Sequence, residues 1–135
     1  MLKLIIGKKG SGKTKNLISL VDEALTLTKG DVVCIEKGDK LKFDIKYQCR
    51  LIDADAYFVN DGQSLYGFIA GILASNHDVT DLFIDSALKI CDNDIEAFDI
   101  FVKNLAVLLK DSSINCVITA SLSVEEATDT IKKYI

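Results

Sequence analysis

Residues 7–14 read Gly7-Lys8-Lys9-Gly10-Ser11-Gly12-Lys13-Thr14, and this octapeptide decides how the rest of the chain is read. The apolar run Leu2-Lys3-Leu4-Ile5-Ile6 precedes it and reads as a strand, and Lys15 to Thr28 follows with helical periodicity. Strand, glycine-rich loop and helix in that order are the context of a loop that cradles phosphate. The residue types follow from the task. Backbone N–H groups must turn inward around an anion, in shapes that a Cβ atom obstructs, hence Gly7, Gly10 and Gly12. The loop feeds a helix N-terminus, whose unpaired N–H groups and positive dipole end favour the same anion. Lys13 supplies a flexible point charge for β- and γ-phosphates, and the Thr14 hydroxyl suits Mg²⁺ bridging those oxygens. Lys8, Lys9 and Ser11 complete the expected cradle.

Outward from the loop, Leu17, Ile18, Val21, Ala24 and Leu25 form one stripe of a helix that Gly30 is expected to stop. Val32-Val33-Cys34-Ile35-Glu36 is a β-branched run, as expected for a strand covered on both faces. Leu41-Lys42-Phe43-Asp44-Ile45 alternates like a half-exposed strand and Arg50-Leu51-Ile52 is a second short one, so a hairpin or an added strand is expected within 41–59. Asp61 is placed to cap a helix over 63–75, which carries Leu65, Tyr66, Phe68, Ile69, Ile72 and Leu73. Leu82-Phe83-Ile84-Asp85 reads as a strand ending in an acid. Asn93 with Glu96, and Ser123 with Glu126, read as capping boxes opening two further helices, with the strand Ile114–Thr119 between them.

Alternating strands and helices predict an α/β fold of three layers. A mostly parallel sheet of four to five strands would have helices on both faces. Its core strands are 2–6, 32–36, 82–85 and 114–119, all within a single domain spanning 1–135. Ligands in such sheets bind at the carboxyl ends of the strands, where the loop 7–14, Asp85, Thr119 and Ser121 all fall.

Composition narrows the function classes. The net charge is −4, and Arg50 is the only arginine among sixteen basic residues. That fits poorly with a nucleic-acid partner, which needs a basic face. No apolar stretch approaches the ~18 residues of a membrane span, and no export signal is read. Four cysteines, Cys34, Cys49, Cys91 and Cys116, form no CxxC pair, and His77 is the sole histidine. Zinc is not expected, and reduced packing thiols in a cytoplasmic protein are.

Gly7–Thr14 is a complete Walker A loop, and Asp85 stands where a Walker B acid closes its strand. The chain thereby resembles the P-loop NTPase superfamily. A strand lies between the two motif strands in sequence, as in the branch that holds RecA-like proteins, AAA+ ATPases and thymidine kinases. That resemblance implies the core order 1-4-3-2, with Asp85 holding Mg²⁺ together with Thr14, and with Thr119 or Ser121 as a polar sensor of the γ-phosphate. The chain departs from the hydrolytic members in having Ser86, not a glutamate, after Asp85. Gly7–Thr14, Val33-Cys34-Ile35-Glu36, Tyr66-Gly67-Phe68-Ile69 and Leu82-Phe83-Ile84-Asp85 also resemble small bacterial ATP-binding proteins labelled twitching-motility-type by analogy.

Three functions are compatible with these residues. The first is Mg²⁺–ATP binding with slow or partner-stimulated hydrolysis, in which Lys13 and Asp85 are the catalytic candidates. A neighbouring copy or another protein would complete the site, with the apolar face at 65–73 as an available docking surface. The second is a small phosphotransferase, and the third a non-catalytic nucleotide sensor. The absence of an Asn-Lys-x-Asp base-recognition motif favours ATP over GTP.

Overall fold

The computed structural model describes residues 1–135. Strand β1 (Leu2–Ile6) leads through the loop 7–14 into helix α1 (Lys13–Leu27). Strands β2 (Asp31–Glu36) and β3 (Arg50–Asp53) follow, then helix α2 (Gly62–Ser75) and strand β4 (Val79–Ile84). The rest comprises the single-turn helix α3 (Ala87–Ile90), helix α4 (Ile95–Leu109), strand β5 (Asn115–Ala120) and the short helix α5 (Asp129–Lys132). No helix is long and apolar enough to cross a membrane.

All five strands are parallel, in the order β1-β5-β4-β2-β3. This differs from the four-strand order 1-4-3-2 because Arg50–Asp53 adds a fifth strand outside β2. Of the two alternatives expected within 41–59, the added strand forms and the hairpin does not. Leu41–Ile45 is a run of turns, closed by N–H bonds from Asp44 and Ile45 to the Leu41 carbonyl. Its alternation misleads because Leu41, Ile45 and Cys49 recur every four residues and are all buried, while Phe43 between them is 89% exposed.

The period of two along the strands sorts the core onto two faces. Val33, Ile35, Leu82, Ile84, Cys116 and Ile118 join a cluster that α2, α3, α4 and α5 cover with Leu65, Ile69, Leu88, Phe98, Val102 and Ile131. Their neighbours Val32, Cys34, Phe83 and Val117 face the other way, onto Leu17, Val21 and Ala24 of α1 and onto Leu41, Ile45 and Cys49. One face thus carries α1 and the 41–49 segment, and the other carries the remaining helices. The apolar residues of α2 belong to this second face: Leu65 and Ile69 are fully buried, and Tyr66, Phe68, Ile72 and Leu73 pack partly buried against the same cluster.

Several boundaries shift for local reasons. α1 ends at Thr28, whose hydroxyl accepts the Gly30 N–H, so the stop lies two residues before the glycine. Asp61 and Ser64 form the capping box of α2. The cap of α4 is Asp94, which accepts the Ala97 N–H, while Asn93 sits in the left-handed region at φ 57°. Ser123 and Glu126 exchange the expected hydrogen bonds but close only a turn, and the last helix is capped by Thr128. At the outer edge of β1, the Leu4 N–H donates to the Tyr134 carbonyl at 2.7 Å.

Candidate functional site

The loop 7–14 crosses the carboxyl end of β1 and delivers α1 with a bare N-terminus. Its N-cap is Gly12, which has no side chain to bond the first N–H groups, and no acid lies in the first turn. Lys13 and Lys15 lie there instead. Cations at the positive end of a helix are electrostatically unfavourable unless an anion joins them. Gly10 and Gly12 hold φ 82° and 88°, the left-handed region where glycine is at ease. The Ser11 N–H donates to the Lys8 carbonyl at 3.1 Å. The Lys13 ammonium folds back onto the same Lys8 carbonyl at 2.7 Å and reaches Ser11 Oγ at 3.5 Å. Gly7 approaches Ser11 so closely that a Cβ there would lie 2.7 Å from its hydroxyl.

Facing this loop is Asp85, directly after β4 and 7% exposed. Its carboxylate accepts hydrogen bonds only from hydroxyl groups. Thr14 Oγ1 donates to it at 3.1 Å and 3.2 Å, Thr119 Oγ1 at 2.7 Å and Ser86 Oγ at 3.4 Å. None of the ion pairs of the fold involves Asp85. The backbone fixes its place, since the Asp85 N–H donates to the Ile35 carbonyl at 2.8 Å. Thr119, fully buried in β5, also accepts the Ser86 N–H at 2.8 Å. Its one hydroxyl proton is therefore directed at Asp85, not at a phosphate. Ser121 stands exposed at the rim.

These groups line a cavity of about 610 Å³ at the carboxyl end of the sheet. It brings together Lys9, Gly10, Gly12, Lys13, Thr14, Asp85, Thr119 and Ser121 of the expected residues; Gly7, Lys8 and Ser11 do not line it. No protein-family model and no curated protein matches the chain. The cavity also holds residues that the sequence reading passed over: Glu36, Lys37, Lys40, Lys89 and Asn93.

Glu36 is the most informative of these. It ends β2 as Asp85 ends β4, and the alternation that points Val32 and Cys34 toward α1 points Glu36 the same way. It is 3% exposed. Its two oxygens accept the Lys40 and Leu41 N–H groups at 3.1 Å and 3.2 Å. Burial raises its carboxyl above the ordinary range, these two hydrogen bonds oppose the rise, and the Asp85 and Asp53 charges add to it. A signal was present in the sequence: Glu36, like Asp85, is an acid closing an apolar strand of the same sheet.

Arg50 is in the wrong place for this chemistry. It opens β3 and pairs with Val33, whereas Asp53 at the other end of β3 pairs with Glu36. The only arginine thus lies at the amino end of its strand, away from the cavity.

The donor set suits a hard cation shared with a phosphate. Asp85 and the Thr14 hydroxyl are oxygen groups without a cation partner, and no cluster of three or more acidic, histidine or cysteine side chains could hold a metal. Mg²⁺ is commonly bound in this way, by one or two protein oxygens plus phosphate and water.

Proposed function

We propose that the cavity binds Mg²⁺–ATP and that the protein hydrolyses it slowly or when a partner completes the site. The observation that carries this reading is the Thr14–Asp85 pair set beside an uncapped helix N-terminus bearing Lys13 and Lys15. Bound between the phosphates and these two side chains, Mg²⁺ would neutralise charge on the β- and γ-oxygens.

The loop N–H groups and the α1 terminus would bind the β-phosphate. Lys13 would leave the Lys8 carbonyl for the β- and γ-oxygens, exchanging a neutral acceptor for charged ones. Thr119 and Ser86 orient Asp85, each by a hydroxyl donated to its carboxylate. Ser86 has no base beside it other than Asp85. Glu36 is therefore the residue able to accept a proton from an attacking water. Burial makes its carboxylate more basic than an exposed one, and it faces the same cavity.

A non-catalytic sensor is the second reading, favoured by the two backbone N–H bonds that occupy Glu36. Phosphate release on purified protein with Mg²⁺–ATP, beside Lys13→Ala and Asp85→Ala, separates the two. Binding lost in Lys13→Ala with turnover lost in both variants is the expected result. Binding without turnover selects the sensor. A folded wild-type protein that binds no nucleotide sinks both.

A further inference from the structure

A triphosphate brings more negative charge than Lys13 balances, and Arg50 stands too far away to help. The cavity has two walls. The loop 7–14, Glu36 and Leu41 belong to the sheet face that carries α1. The opposite wall is α3, whose Ala87, Leu88 and Ile90 are buried, with Cys91 just after it, in the cluster on the other face.

Lys89 is the one exposed residue of that turn and it lines the cavity. Four buried neighbours, at 0%, 6%, 1% and 1% exposure, hold the backbone on either side of it. The turn is entered through Ser86 at φ 58° and left through Asp92 at 60° and Asn93 at 57°. Asp and Asn enter the left-handed region readily, so Ser86 is the residue whose backbone there has to be imposed by its surroundings. The backbone that carries Lys89 is therefore anchored by the packing of its neighbours. Its ammonium takes part in none of the ion pairs of the fold, as is true of Lys9, Lys15 and Lys40 at the same cavity, whereas Lys37 is spent on Asp55 at 2.7 Å; what sets Lys89 apart is its place on α3 among buried neighbours.

We infer that Lys89 is a second phosphate-binding cation, which meets the terminal phosphate of a bound nucleoside triphosphate from the wall opposite Lys13. It makes the site prefer triphosphate to diphosphate. This rests on the nucleotide-binding reading above.

Equilibrium titrations with Mg²⁺–ADP and with Mg²⁺ and a non-hydrolysable ATP analogue, on wild type, Lys89→Met and Lys13→Ala, test it. Lys89→Met is expected to weaken the triphosphate about tenfold, the loss of one charge-assisted hydrogen bond, and to leave ADP within about twofold. Retained ADP affinity also shows that the variant is folded. Lys13→Ala is expected to weaken both nucleotides. Equal weakening of both by Lys89→Met, or no change, overturns the inference and leaves nucleotide binding standing. A wild type that binds neither nucleotide overturns both.

Discussion

Two acids end neighbouring strands of the sheet, and they are held in opposite ways. Asp85 accepts only side-chain hydroxyls, from Thr14, Thr119 and Ser86. Glu36 accepts only backbone N–H groups, from Lys40 and Leu41. A hydroxyl can rotate and offer its own lone pair to a cation, so the Asp85 cluster can be rearranged without moving the chain. Backbone N–H groups cannot turn away without moving the loop that bears them. Asp85 is therefore suited to hold a ligand, and Glu36 couples whatever happens in the cavity to the segment 37–41.

The sharpest way to break this contrast is Asp85→Asn. The amide keeps an oxygen for Thr14 and Thr119 but loses the charge. Turnover or Mg²⁺ affinity is expected to fall by about 10- to 100-fold, with the urea midpoint nearly unchanged. A collapse of stability in this variant would show that the carboxylate holds the fold together instead.

Glu36→Ala is expected to lower stability as well as turnover. It strands two backbone N–H groups, that of Leu41 in a buried setting, at a cost of about 1–3 kcal/mol. A lower urea midpoint at constant slope is the expected result. An unchanged midpoint would remove Glu36 as the anchor of the loop.

The smallest effect is in pH. Because burial raises the Glu36 carboxyl, the folded state holds this proton more tightly than the unfolded chain does. The contribution of Glu36 to stability is full below its ordinary value of 4.5 and is lost as pH rises through its raised folded value. Measured against Glu36→Gln, the wild type should lose relative stability as pH rises above 4.5. A difference that grows with pH would reverse the assignment.

How far the sequence carries depends on whether a feature is local. The loop 7–14 is legible because its glycines answer a backbone demand at fixed spacing, and the Asp61 cap because its partner Ser64 is three residues away. Asp85 stands out once the loop is known. Glu36 was visible as the end of an apolar strand, but its burial comes from Lys40 and Leu41 folding back over it, which no periodicity announces. The segment 41–49 was misread for the same reason: a spacing of four placed on turns looks like alternation until α1 is there to cover Leu41 and Ile45. Lys89 drew no notice because only the assembled sheet brings α3 over the cavity. The rank of Asn93 and Asp94 as caps was decided by a single left-handed residue.

The bond from Leu4 to Tyr134 has a consequence for assembly. It occupies the outward N–H at the middle of β1, so the chain's own C-terminal segment takes one rung of that edge. The other margin is β3, four residues long, with Arg50 and Asp53 at its two ends. A foreign strand adding there finds a short ladder flanked by opposite charges, the kind of margin that resists templated stacking. Growth by strand addition, the route to fibrils, thus meets an interrupted ladder at one border and a short one at the other.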